Sequence, residues 1–493
     1  MATVPPAGNV YIDGLLYAGR RWDSNRITYS FWSDESLDDA FGDTSRKNIA
    51  WLGYEIRAMQ LALQAWSNVA NINLVKTAGN NGRANIGLLS VDNSDLGGDL
   101  GAFVPPGFYG EGTGYFNYQG DGWSRSGLRP GGLGFVTILH ELGHGLGLAH
   151  PHDNDDGSRF FPGLSAASDP FEDTGRYGLN QGVWTTMTYI DGLAANNFSG
   201  TNYGYQSTPM TLDIAAIQHL YGANMSHNTG GDTYVLPAGN GPGTRYFAIW
   251  DAGGYDTISA ASARHGATIN LNSAPLVGPN AGGYLSSVEG IYGGATIANG
   301  VVIEKAVGGL GNDRLIGNQV DNSILGKSGN DVMVGQGGKD ELFGEQGNDQ
   351  LIGGVGGDIL VGGLGNDHLI GNQGKDFLNG GSGQNILRGG SGQDVFYFGS
   401  LDRAVDSLLD FNTAKDSLVI KRDAFRLPLR KGILGRAYFT VGARASDRGD
   451  RFIYNRQSGM LFFDADGVGG SAQFGLARFV NRPNLTHRDF VLV

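Results

Sequence analysis

His140-Glu141-Leu142-Gly143-His144-Gly145-Leu146-Gly147-Leu148-Ala149-His150 is the most informative stretch of this 493-residue chain. His140 and His144 are four apart, so on a helix their imidazoles share one face, a turn apart. That spacing lets both rings bind one Zn²⁺ at about 2.0–2.1 Å. Glu141 follows the first ligand and is free to take a proton from a water that the metal has acidified. A continuous helix would carry His150 away along its axis. Gly147 supplies the break, because a residue without Cβ enters the left-handed conformation that ends a helix and reverses the chain. The third histidine then returns to the same metal, and a fourth position stays open for water. Four of the nine histidines fall between His140 and His152, which argues against a chance scatter on a core helix.

Outward from this motif, the pattern predicts a helix over Phe135–Leu148 and a strand at Arg26–Trp32. It predicts a second helix near Arg46–Ala70, with Ile49, Leu52, Ile56, Met59, Leu63 and Trp66 on one stripe. Short strands are expected at Ile72–Val75 and Asn85–Leu89, and an extended piece at Ala102-Phe103-Val104. A further helix over Thr211–Tyr221 has Asp213 in its first turn and Gly222 just past its end.

The motif resembles that of the metzincin metallopeptidases, and Pro151 after the third histidine resembles the serralysin branch. LALQAWSNVANINL, TLDIAAIQHLYGAN and WDAGGYDT are also serralysin-like. The resemblance implies a Met-turn at Trp184-Thr185-Thr186-Met187-Thr188-Tyr189, with Met187 as an apolar floor beneath the ligands. It implies that Tyr189 ligates zinc at rest and steadies the oxyanion during turnover. It also implies that Ala102, Phe103 and Val104 form the cleft edge that receives substrate backbone as an added strand. Two departures stand out. Gly145 replaces another small residue, at a helix cost of about 1 kcal/mol. The stretch from His152 to Asn180 matches less clearly, which bears on cleft shape.

From Gly308 the chain repeats every nine residues, beginning GGLGNDRLI, GNQVDNSIL and GKSGNDVMV. Gly at the first and fourth places is expected to permit unusual backbone angles. Asp recurs at the sixth place: Asp313, Asp331, Asp340, Asp349, Asp358, Asp367, Asp376 and Asp394. An apolar residue fills the eighth place in every repeat, from Leu315 to Phe396, which a flexible linker would not need. Carboxylate and carbonyl oxygens in such turns suit Ca²⁺, and stacked coils give the parallel β-roll of RTX proteins. The second repeat has Val320 for Gly and Asn322 for Asp, and the ninth has Asn385 for Asp, so those turns should bind calcium weakly or not at all. The serralysin resemblance implies further calcium ligands at Gly231, Thr233, Asp251, Gly253 and Asp256, and a second set at Gly254, Asp256 and Glu304.

The predicted fold class is therefore α+β. A metzincin zinc-peptidase domain (1–222) precedes a C-terminal parallel β-roll of RTX repeats (223–397) and a β-sandwich-like tail (398–493). The net charge of −13 makes nucleic acid and anionic membranes poor partners. With no cysteine, there is no disulfide framework, and metal ions are the natural staple. The N-terminus lacks a basic segment followed by an apolar run, so export without a cleaved N-terminal signal is expected. The ending Asp489-Phe490-Val491-Leu492-Val493 resembles the uncleaved signal read by a type I secretion exporter. The expectation is a secreted, extracellular, monomeric endopeptidase with one catalytic Zn²⁺ and several structural Ca²⁺ ions. Protein or peptide substrates and a proteinaceous inhibitor are its expected partners. The alternative is a non-catalytic RTX adhesin or surface-layer protein, which leaves the zinc motif without a role. An RTX lipase is disfavoured because no G-x-S-x-G elbow precedes the repeats.

Overall fold

A computed structural model of the chain describes residues 1–32, 50–78, 84–154, 158–194 and 200–493. The chain divides into two compact units: Met1–Asp256 with Asn272–Val302, and Thr257–Leu271 with Ile303–Val493.

In the first unit, strands run in the order Asn73–Lys76, Arg26–Phe31, Ile86–Val91, Thr113–Asn117, Gly101–Phe103. All pair in parallel except the last, which runs antiparallel at the sheet edge. The helix predicted near Arg46–Ala70 spans Gly53–Val69; residues 46–49, including Ile49, lie outside the described residues. Its buried face is Ala58, Met59, Ala62, Leu63, Ala65, Trp66 and Val69, while Leu52 stands exposed at its N-terminus. The Trp66 indole N–H donates to the Leu139 carbonyl at 3.2 Å and joins this helix to the next one, Leu133–Leu146. That helix is buried on all sides from Gly134 to Leu146, as a core helix of a two-layer unit must be.

The second unit is built of two mainly parallel sheets whose strands alternate along the chain. One takes Ser323–Ser328, Glu341–Gln346, Ile359–Leu364 and Phe377–Ser382; the other takes Val332–Gly337, Gln350–Val355, His368–Gly374 and Ile386–Gly392. Each strand pairs with the strand 18 residues on, as in Leu342↔Leu360 and Leu351↔Leu369, so one turn of the roll takes two nonapeptides. The eighth-place residues from Leu315 to Phe396 point inward and are at most 1% exposed, giving a continuous apolar ladder. The roll begins before the repeat: Thr257–Ser259 and Ala267–Asn270 already occupy places in the two sheets without any nonapeptide signature. The tail does not build a sandwich of its own. Asp406–Leu408 and Phe474–Phe479 continue one sheet, and Ser417–Ile420 and Phe490–Leu492 continue the other. An open end of a roll carries unpaired backbone groups, and added strands satisfy them.

The first- and fourth-place glycines have different reasons; the second repeat has Val320 at the fourth place. The fourth-place glycines, such as Gly329, Gly347 and Gly365, have φ of 112°, 137° and 133°, as expected. The first-place glycines do not. At Gly326, Gly335 and Gly344 a Cβ would lie 2.1–2.3 Å from the Oδ2 of the repeat's own aspartate, so the requirement is space for the carboxylate.

Candidate active site

The three motif histidines converge. His140 Nε2 lies 3.1 Å from both His144 Nε2 and His150 Nε2, and the last two are 3.0 Å apart. Gly147, with φ 108°, ends the helix in the left-handed conformation and returns the chain to His150. Each ring is held through its other nitrogen. His140 Nδ1 donates to the Thr186 carbonyl at 2.8 Å, His144 Nδ1 to the Leu148 carbonyl at 2.7 Å, and His150 Nδ1 to the Asp153 carboxylate at 2.6 Å. With Nδ1 donating, each neutral ring turns an Nε2 lone pair toward the common centre. Burial keeps the rings neutral: it pushes His140 down to about 4 and, with the neighbouring histidines, holds His144 and His150 well below the usual range.

This set fits a zinc ion. Three nitrogens at this mutual spacing converge on one point, as the ligands of a single ion with Zn–N bonds of about 2.0–2.1 Å would.

Glu141 is 7% exposed and lines the cavity beside His140. Burial raises its carboxyl to about 8, with a further push from Asp99. Opposite charge at the adjacent nitrogens would bring it back toward the ionised form. Met187 is fully buried, and a Cβ on Gly143 would lie 2.6 Å from its sulfur, so the glycine admits the methionine beneath the helix. Tyr189 is partly exposed, with its ring 4.8 Å from that of His150 and 5.6 Å from that of His140. Burial and the nearby carboxyls of Glu141, Asp153 and Asp99 raise its phenol pKa, so it stays a donor at neutral pH.

The edge strand runs Gly101–Phe103. Val104, expected at this edge, has its N–H on Thr113 and its carbonyl on Gly112. By the antiparallel alternation, the groups turned away from the sheet are those of Gly101 and Phe103. A Cβ on Gly101 would lie 2.7 Å from Glu141 Cγ, which places this edge directly over the carboxyl. The Phe103 ring packs on the helix, 2.5 Å from where a Gly145 Cβ would sit. Gly145 thus makes room for the edge strand, a reason not readable from helix propensity.

Four positioning residues escaped the sequence reading. Asp213, taken for a helix-start residue, accepts from the Thr186 amide at 2.6 Å and from the hydroxyls of Thr185 and Thr186, tying the Met-turn to helix Thr211–Tyr221. Burial raises its carboxyl to about 6 against these donors. Asp153 orients His150, three residues on, a spacing that could have suggested it. His152 stacks on His150 at 4.8 Å between centroids and lies 4.6 Å from the Tyr189 ring. Asp232 joins Asp251 and Asp256 in a trio whose oxygens lie within 4.8 Å of one another. Of the calcium ligands expected there, Gly231 and Thr233 flank Asp232, and the Asp232 amide donates to Asp256 Oδ1 at 2.7 Å. Gly253 and Gly254 both have positive φ in the intervening loop. Glu304 belongs to the second unit.

In the roll, the Oδ1 of each repeat aspartate from Asp331 to Asp394 accepts an amide of the preceding coil, as in Asp331 from Asp313 and Asp349 from Asp331, both at 2.8 Å. The Oδ2 atoms of Asp331, Asp340, Asp349, Asp358, Asp367, Asp376 and Asp394 are buried without a hydrogen-bond partner. Burial raises Asp331, Asp340 and Asp376 to about 7. A row of buried, unpaired carboxylate oxygens suits a hard divalent cation. Asp313 differs, with both oxygens satisfied by the amides of Ala267 and Gly309. The Asn322 side-chain amide donates to Asn318 and the Glu304 carbonyl, and that of Asn385 donates to Asp406. These two turns therefore carry their own donors.

A converging three-histidine site above a buried methionine, joined to a chain with an aspartate-lined parallel roll, defines the class. The model for the Peptidase M10 serralysin C-terminal family matches residues 211–427. Serralysin C of Dickeya chrysanthemi is 32% identical over 366 residues, covering 64% of this chain and 70% of that protein. Metallopeptidase AprA of Pseudomonas marginalis is 34% identical over 332 residues, or 62% of each chain. A serralysin of Photorhabdus luminescens is 35% identical over 272 residues, 52% of this chain and 51% of its own length. The chain belongs to the serralysin family.

Proposed function

We propose that the protein is a secreted zinc-dependent endopeptidase with a calcium-stabilised repeat region. The observation that carries this reading is the convergence of three Nε2 atoms within 3.1 Å while each Nδ1 is engaged by a backbone or carboxylate acceptor. His140, His144 and His150 hold the zinc, with Tyr189 as a further ligand in the resting state. Bound there, zinc polarises the scissile carbonyl and acidifies water. Glu141 takes the proton of the attacking water and returns it to the leaving amine. Tyr189 donates to the oxyanion. Gly101 and Phe103 hold substrate backbone as an added strand over Glu141. The catalytic residues lie within the first compact unit, and the nonapeptide repeats and the C-terminal strands within the second.

An adhesin or surface-layer role would leave the oriented histidines unexplained. Export follows from the physics of the repeats: at low calcium, unpaired carboxylates oppose folding, and an unfolded chain can thread an exporter. Phe490 and Leu492 are buried in a strand that pairs with Ser417–Ile420. No described helix is long and apolar enough to cross a membrane. Casein hydrolysis in excess calcium tests the reading. It should be abolished by a zinc-selective chelator and restored by added zinc; hydrolysis that persists without zinc would refute it.

A further inference from the structure

The cavity beside His140 and Glu141 has a volume of about 570 Å³. Its wall carries Asp99, Asp121 and Asp191, and among its lining residues there is no lysine or arginine. A second, independent feature points to a ligand. Gln206, 2% exposed, lines the same wall, and its Oε1 has no hydrogen-bond donor. The wall thus offers acceptors and awaits donors. Phe171 is 67% exposed at the cavity and stacked on Tyr189 at 5.3 Å, so it presents an aromatic face. Leu133 and Val136 supply an apolar surface along which a methylene stem can lie.

We propose that this cavity is the subsite for a cationic side chain, arginine or lysine, of the residue next to the scissile bond. The inference rests on the endopeptidase reading. A guanidinium or ammonium satisfies the acceptors, sits against the Phe171 face and meets three carboxylates of opposite charge. An acidic side chain would enter against the same charges, with no lysine or arginine among the lining residues to meet it.

The test uses the full-length protein loaded with zinc and calcium, and a peptide series varied one position at a time around one cleaved bond. At one of the two flanking positions, arginine and lysine should exceed glutamate in kcat/KM by roughly tenfold or more. Asp99→Asn, Asp121→Asn and Asp191→Asn, singly and together, should shrink that ratio stepwise, and so should added salt. The single variants sit at exposed carboxylates, and circular dichroism checks their fold. Equal rates for arginine, leucine and glutamate at both flanking positions would overturn the proposal and leave the peptidase reading standing. So would a cationic preference that survives all three substitutions. Failure to cleave any peptide would overturn both.

Discussion

Asp213 Oδ2 accepts the backbone amide of Thr186 at 2.6 Å, and the carbonyl of that same Thr186 receives His140 Nδ1 at 2.8 Å. His140 is therefore positioned through one residue, Thr186, by a carboxylate 73 residues away in sequence. Asp213→Asn exchanges an ionised acceptor for a weaker one. Zinc affinity should fall roughly 10- to 100-fold, the usual effect of removing an outer partner of a metal ligand. Zinc retained after dialysis against graded chelator measures it. Unchanged retention would make Asp213 a helix cap only.

Glu141→Gln leaves all three nitrogens in place and removes the base. Zinc content should match the parent while kcat falls by at least about two orders of magnitude. Substantial zinc loss in this variant would show that Glu141 orders the site instead.

Tyr189→Phe keeps the ring between His150, His152 and Phe171 but removes the donor. The rate should drop roughly one to three orders of magnitude with little change in KM. Parent-like kcat would show that Tyr189 only packs.

Gly145→Ala ought to stabilise an isolated helix by about 1 kcal/mol. Here the new Cβ would lie 2.5 Å from the Phe103 ring, so the net effect should be a destabilisation of about 1–3 kcal/mol. KM should rise as the edge strand shifts. Thermal unfolding and kinetics read both, and a raised melting temperature would contradict the packing.

Calcium removal should unfold the repeats before the zinc-binding part. The pH dependence of the chelated protein follows from the aspartates. Burial raises Asp331, Asp340 and Asp376 to about 7 from ordinary values near 3.8, so between these limits the folded state binds more protons than the unfolded. Stability in chelator should therefore fall as pH rises from about 4 to 7. In saturating calcium the loss should disappear, because the ion favours the ionised form. Circular dichroism of chelated and calcium-loaded protein at pH 5 and pH 8 would show it. Equal stability at both pH values in chelator would count against the assignment.

The sequence alone was enough for the three histidines, Glu141, the helix break at Gly147 and the nonapeptide roll. Those features are local: a four-residue spacing, a left-handed glycine and a nine-residue period each follow from backbone geometry over a short stretch. Asp213 behind Thr186, Gly145 under Phe103, the unfilled acceptor on Gln206 and the three aspartates around one cavity were decided only by the tertiary structure. Each depends on two distant segments meeting, and a residue such as Asp213 carries the same local signal whether it caps a helix or holds a metal site. The same holds for Thr257–Ser259 and Ala267–Asn270. They join the roll without its repeat because the backbone groups of the neighbouring strands, not a motif of their own, specify that pairing.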